Sequence, residues 1–478
     1  MIDYDFRQIN FGLSDAQTEG EDYPNLLSDG YVDILQVVDK AINTSVFLFL
    51  GYKGSGKSSL SEHLRLTQVG VEVDQQPLKD FPFKFFDKII NSEDRNFKYK
   101  TIWRWLLCTK VLSSMCSTLS DNTHCNKETE NAIKVFTQLG LFPVLNISSL
   151  VKRTSNTTVS ATLKSLGISH SVCENYAEAD MEMLTDYIKM LICSIKENKP
   201  RLIIIDELDD ILTPNGRQFE NIAALIKEVK DLNSYFRRNN ILVKILILCR
   251  TDMFERLPGQ NLNKIKQDNS FTFTWYREGV NCNVDSDLIH LVNKRARLTY
   301  PDLQDVFSQF FPKKYDDTDI YSALLNYTRH TPRDFVQLMN SIKNHCNDKI
   351  VSPNAISKAI KEYSMEYFKQ EISNELAGYF TGQAIEAVFN ALSSIRRQKF
   401  TYQQFVKKCQ SYPTLEKVEP FEIMRVLYDC SAIGHTHYYK ENGSTRVLFK
   451  YRNRVSTFNP NDKILLHRGL WKGLNVSL

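Results

Sequence analysis

One octapeptide constrains this 478-residue chain more than any other feature. Gly51-Tyr52-Lys53-Gly54-Ser55-Gly56-Lys57-Ser58 fits the spacing G-x-x-x-x-G-K-[ST] in full. The apolar run Ser45–Leu50 before it reads as a buried parallel strand, and Lys57–Leu66 after it reads as a helix. In that setting a glycine loop holds phosphate. Its backbone N–H groups converge only in conformations that glycine adopts cheaply. The positive end of the following helix aims at the same negative charge. The pattern predicts phosphate contacts from Gly51, Gly54, Ser55, Gly56, Lys57, Ser58 and Ser59. Lys57 is expected on the β- and γ-phosphates and Ser58 on Mg2+.

Three further segments bear on the same chemistry. Arg201–Ile205 is a short apolar run closed by Asp206-Glu207. Asp206 is expected to hold Mg2+, directly or through water, and Glu207 to orient or deprotonate the attacking water. Leu242–Cys249 reads as a strand that ends in Cys249-Arg250-Thr251-Asp252. In a sheet of this class it lies beside the first strand, so Arg250 or Asp252 is a candidate sensor of the terminal phosphate. The plain alternative is a surface salt bridge of little energetic weight. Thr331-Pro332-Arg333-Asp334 opens a helix, with proline suited to the first turn. Arg333 is a candidate for the same phosphate; an ordinary ion pair with a neighbouring acid is the alternative.

The rest of the chain supplies the frame. Residues 1–30 read as an extended arm or turns, and Tyr31–Ile42 has helical spacing. A strand is expected near Val69–Val73, mostly helix over 98–200 with Lys152–Ser169 unassigned, a helix over Phe219–Phe236 and a strand over Ser270–Trp275. Strands alternating with helices predict an α/β class: a three-layer P-loop NTPase core with a mostly parallel sheet. After about residue 285 helices dominate (Leu288–Leu298, Asp317–Tyr327, Pro332–Cys346, Ala355–Leu376), which reads as a helical lid. Helices at Gln383–Ser394, Tyr402–Cys409 and Phe421–Ala432 precede strand-like runs Thr436–Tyr439 and Thr445–Tyr451, joined through Glu441-Asn442-Gly443. That is the order of a C-terminal winged helix. The expected domains are therefore 1–285, with a helical insertion over about 77–200, then 286–376 and 377–478.

Composition narrows the setting. No apolar run reaches eighteen residues, so no membrane span is expected. The polar, acidic start does not read as a signal peptide, which suggests a cytoplasmic protein. Ten scattered cysteines with no CxxC pair read as reduced thiols rather than a zinc or disulfide framework, and His435-x-His437 reads as surface. The net charge of +4 is uneven: residues 376–478 carry 15 Lys/Arg against 7 Asp/Glu. Such asymmetry hints at an acidic partner or nucleic acid for that part. Helix Phe421–Ala432, however, offers only Arg425 against Glu422 and Asp429. Other cations lie at Arg396, Arg397, Lys407, Lys408 and, in the wing, Lys440, Arg446, Lys450, Arg452 and Arg454, among others. They would suit nonspecific phosphate contacts, a protein partner being equally open.

GYKGSGKS at 51–58, LIIIDELDD at 202–210, ILILCRTD at 245–252 and TPRDFVQLMN at 331–340 together resemble AAA+/STAND-type ATPases. The likeness is to origin-recognition initiators and to bacterial defence-associated P-loop ATPases with a C-terminal winged helix. The closing HRGLWKGLN at 467–475 is similar to the tail of some bacterial ATPases of this kind. The resemblance implies ATP and Mg2+ as cofactors, Asp206 and Glu207 as the acidic pair, and Arg250 and Arg333 at the two sensor positions. Arginine departs from the small polar residue more usual at the first of these. The resemblance also implies a homo-oligomer with an arginine finger from a neighbouring copy; Arg256, Arg295 and Arg297 are candidates. The function it implies is an ATP-hydrolysing switch that controls assembly or an effector protein in antiviral defence. A DNA-loading initiator is the first alternative. A small-molecule kinase fits less well, because Glu207 beside Asp206 suits water activation, and intact Lys57 and Ser58 argue against an inert scaffold.

Overall fold

The computed structural model describes residues 3–67, 70–79, 81–89, 95–117, 126–168, 176–196, 199–208, 217–277, 284–439 and 444–476. Contacts divide the chain into two compact units. One comprises Leu35–Tyr52 and Leu60–Phe273; the other comprises Met1–Ile34, Lys53–Ser59 and Thr274–Leu478.

The first unit is α/β. Its sheet contains β1 (Leu48–Gly51), β2 (Glu72–Pro77), β3 (Arg201–Asp206), β4 (Val243–Arg250) and β5 (Ser270–Thr272), in the order β2-β3-β4-β1-β5. All four pairings are parallel. β1 is buried along its whole length, and β3 and β4 nearly so, which is why these segments read as unbroken apolar runs. The expected strand near Val69–Val73 forms later, at β2; Val69 lies outside the described residues. Helices Phe83–Ile89, Arg95–Ser117, Lys127–Gln138, Ile147–Arg153, Asn156–Ser165 and Tyr176–Ser194 fill the expected insertion. The Ser/Thr-rich stretch left unassigned is helical because Asn146 and Ser155 cap the starts of two short helices. The insertion is pinned at Arg104, whose Nε lies 2.7 Å from Glu228, and at Trp103, whose indole donates to Asn221 Oδ1 at 2.6 Å.

The second unit gathers the chain start, the glycine loop and the C-terminal helices. Residues 1–30 are not merely an arm. They include helices Ala16–Asp22 and Pro24–Ser28, and Phe6, Ile9 and Phe11 are buried. Asp15 caps one helix and Pro24 starts the other, but both are too short to show a periodic pattern. Helices Asp287–Ala296, Ile320–Leu325, Pro332–His345 and Pro353–Glu362 follow. The long helix expected over Ala355–Leu376 is interrupted by a π turn at Tyr363–Phe368 before Lys369–Leu376. A small hairpin within this helical region pairs β6 (Lys314–Tyr315) with β7 (Thr318–Asp319).

The last part keeps the winged-helix order, with helices Gly382–Ile395, Tyr402–Cys409 and Pro420–Asp429. Its sheet is larger than expected: β8 (Lys399–Phe400), β9 (Ile433–Tyr439), β10 (Ser444–Leu448) and β11 (Lys463–Leu466) lie in the order β10-β9-β11-β8. The expected turn at Glu441-Asn442-Gly443 lies outside the described residues. No helix among the described residues is long and apolar enough to cross a membrane.

Candidate nucleotide site

In the α/β unit the chemistry-bearing residues meet at one edge of the sheet. Parallel pairing sets Gly51, the last residue of β1, opposite Arg250, the last of β4. Asp206 ends β3, the next strand along. Carboxyl ends of neighbouring parallel strands are where open α/β sheets bind ligands. Asp206 Oδ1 accepts the Glu207 backbone N–H at 2.7 Å. Glu207 itself has φ +59°, a left-handed conformation that is costly for a side-chain-bearing residue. A backbone state of that cost persists only where the surrounding structure imposes it. Arg250 forms a two-pronged pair with Asp252, Nε–Oδ1 3.0 Å and Nη2–Oδ2 2.7 Å. Asp209 and Asp210 lie outside the described residues.

The other unit holds the loop from Lys53 to Ser59. Gly54 has φ +77° and Gly56 φ +94°. These are backbone states that the glycine spacing anticipates. Lys57 is buried, Ser59 half-buried and Ser58 exposed. Ser55 is buried, and its Oγ has no hydrogen-bond partner. An orphaned hydroxyl in a loop of this spacing suits a phosphate oxygen as its missing acceptor. The loop is held from the C-terminal side. Trp275 donates its indole N–H to the Ser55 carbonyl at 2.8 Å. The Arg333 backbone N–H donates to the Gly54 carbonyl at 3.3 Å. A Cβ on Gly54 would come 2.9 Å from Arg333 Cβ and 3.4 Å from Thr331 Oγ1. Lys53 lies 3.3 Å from Glu371.

Arg333 is thus against the loop through its backbone and stem. Its Nε donates to the Ser14 carbonyl at 3.0 Å, and Nη1 is 3.9 Å from Glu371. Behind it lies a buried ionic cluster that sequence reading missed. Asp334 accepts from Arg329 Nε at 2.9 Å, Nη2 at 3.0 Å and backbone N at 3.0 Å, and from Tyr367 Oη at 3.0 Å. Arg329 also reaches Glu375 at 2.5 Å. Burial works to raise the Asp334 carboxyl, but the Arg329 guanidinium prevails and holds it below the usual carboxylate range. Thr331 caps the helix by accepting the Asp334 N–H, with Pro332 at the first turn. Threonine-proline followed by an acid at the third helical position was the available signal for this rigid start. Trp275 left no signal beyond its place at the end of an apolar run.

Other candidates sort by their partners. Arg295 is buried against Glu19 at 2.6 Å and the Phe11 carbonyl at 2.5 Å, and Arg297 donates to the Leu303 and Gln304 carbonyls. Arg295 is therefore consumed inside its own unit. Arg256 lies over the Phe219 ring at 4.7 Å. In the winged-helix part Arg425 is bracketed by Glu422 at 2.7 Å and Asp429 at 3.1 Å. Two wing cations expected on the surface turn inward: Lys450 donates to the Ser456 carbonyl, and Arg452 packs on Tyr276, Phe449 and Tyr451. Lys440 lies outside the described residues. His435, expected at the surface, is buried; it stacks on Tyr428 at 4.5 Å and accepts the Asn459 N–H. Among the described residues no group of three or more His, Cys, Asp or Glu is placed to hold a metal on its own.

Residues 286–370 match a family described as a FunZ-associated C-terminal helical domain. No curated protein matches the chain. Among solved structures it is similar to the Aeropyrum pernix Orc1 protein in complex with DNA, at 10% identity and TM-score 0.36, over 95% of this chain and 94% of that one.

Proposed function

We propose that the chain is an ATP-hydrolysing switch. The observation that carries this reading is the seating of the Gly54–Gly56 loop against Thr331, Pro332 and Arg333 at the start of a rigidly capped helix. A phosphate-binding loop in contact with that helix gives the C-terminal helices a direct way to respond to nucleotide. In this reading Gly51, Gly54, Ser55, Gly56, Lys57, Ser58 and Ser59 hold the phosphates. Bound Mg2+, taken by Ser58 and Asp206, would neutralise phosphate charge. Glu207 orients water, and the Arg250–Asp252 pair sits at the neighbouring strand end. Arg333 serves as the coupling residue, linking the loop to Ser14 and Glu371.

The partners of this proposal are further copies of the chain and an effector protein, with cytoplasmic antiviral defence as the setting. It rests on the four motifs rather than on any contact described above. Residues 1–285, 286–376 and 377–478 are its functional divisions. A DNA-loading role is the second reading, favoured by the charge of residues 376–478 and weakened by the engagement of Arg425 with two acids. The test is steady-state ATP hydrolysis by wild type, Glu207→Gln and Arg333→Ala, with and without duplex DNA, with particle size measured in each nucleotide state. Loss of turnover in Glu207→Gln with ATP binding retained, and loss of ATP-dependent assembly in Arg333→Ala, are expected. Turnover unchanged by Glu207→Gln would refute the catalytic assignment, and strong DNA stimulation would favour the loader.

A further inference from the structure

We infer that a cavity of about 380 Å³, lined by the C-terminal tail and strands β8, β10 and β11, is a binding site for a nucleoside phosphate. It lies wholly in the unit that contains Thr274–Leu478 and owes nothing to the ATP reading above. Its volume falls at the low end of small-molecule sites, about 300–1,000 Å³.

The tail builds one wall. Gly469 and Gly473 press it onto the π turn: a Cβ on Gly469 would meet the Phe368 ring at 2.8 Å, and one on Gly473 the Ser364 carbonyl at 2.8 Å. Ser364 Oγ donates to the Gly469 carbonyl at 2.6 Å and accepts the Gly473 N–H at 2.7 Å. Trp471 donates its indole N–H to the Leu466 carbonyl at 2.9 Å. The tail is thus fixed, and Arg468 stands with its guanidinium 5.3 Å over the Trp471 ring. The facing wall carries Arg452, held by Asn326 Oδ1 at 2.8 Å and by Tyr451 Oη at 3.2 Å. Exposed Lys399 supplies a third cation.

Three cations and no carboxylate line this cavity. Neither Lys399 nor Arg468 has an ion-pair partner among the described residues. Lys399 and Arg468 therefore favour an anion, and an arginine fork matches phosphate oxygens in pairs. The half-buried Trp471 ring, fixed by its indole hydrogen bond, suits a flat aromatic group. A phosphate joined to a nucleobase satisfies both demands. His467 adds no charge, because burial keeps its ring neutral.

The test uses the full chain with Lys57→Ala, which removes the phosphate lysine of the loop. AMP, adenosine and a 5′-phosphorylated oligothymidylate are titrated at low salt by calorimetry and tryptophan fluorescence. We expect one AMP or one oligonucleotide per chain, adenosine at least tenfold weaker, and at least tenfold loss with Lys399→Glu or Arg468→Gln. Trp471→Phe should retain binding and lose the fluorescence change. Binding of AMP identifies a free nucleotide as the source of the ligand; binding of the oligonucleotide alone identifies a nucleic-acid end. No binding of either probe, equal binding of adenosine, or affinity unmoved by Lys399→Glu, an exposed position where folding is not at stake, overturns the inference.

Discussion

Asp334 is fully buried and accepts three hydrogen bonds from Arg329 and one from Tyr367. Replacing it with asparagine keeps the shape and removes the charge, leaving Arg329 with Glu375 as its remaining anion at 2.5 Å. Breaking a buried pair from one side costs about 3–5 kcal/mol. Because Glu375 still compensates part of the guanidinium charge, Asp334→Asn should fall at the lower end, about 3 kcal/mol. For a unit of this size that corresponds to a fall of about 6–12 °C in its melting transition. Arg329→Met should cost at least as much, since it strands a buried carboxylate. The double variant Arg329→Met/Asp334→Asn removes both charges together. It should cost less than the sum of the single variants by about 2 kcal/mol or more. Scanning calorimetry of the four proteins reads this directly. Additive losses, or a single-variant loss under about 1 kcal/mol, would show that the cluster does not hold the helix start as argued.

Further perturbations address the loop and the buried histidines. Gly54→Ala forces a side chain into a left-handed residue 2.9 Å from Arg333 Cβ. It should lose about 1–3 kcal/mol and most nucleotide binding, and unchanged affinity in a nucleotide titration would contradict the packing described. Trp275→Phe strands the Ser55 carbonyl, at a cost of about 1–3 kcal/mol, and should weaken nucleotide binding; equal affinity would remove Trp275 from the site. His330 and His467 are buried and held neutral, first by desolvation, with His467 lowered to about 3. Their depressed values favour protonation of the unfolded chain, so stability should be full above about pH 6.5 and fall below it, by about 2 kcal/mol at pH 5 for His467, with His330 acting in the same sense. Denaturant unfolding of His467→Gln between pH 7 and pH 5 should show a shallower pH dependence than wild type, and an unaltered slope would exclude this origin.

The residues that the sequence singled out fall into two physical kinds. β1, β3, β4 and the helix after the loop were legible because burial on both faces or a period of 3.6 leaves a mark within ten residues. The glycine loop was legible because its backbone requires φ near +77° and +94° at two fixed positions. Short capped helices such as Ala16–Asp22 were not, because a seven-residue helix carries less than two periods of pattern. Nor was β11, which gains its hydrogen bonds from β9 and β8, far off in sequence.

By itself the sequence determined the α/β class, the strand that precedes the loop, the acids that end β3 and the helical character of the C-terminal region. Tertiary structure alone decided that Trp275 and Arg333 clasp the loop, that Asp334 is a buried counter-ion, that Arg295 is spent on Glu19, and that the tail encloses a cationic cavity. The reason is range. Backbone conformation and amphipathic periodicity are local and are written in neighbouring residues. The partner of a buried charge or an indole N–H is chosen by which distant segment packs against it; Trp275 and Ser55, 220 positions apart, meet only in the fold.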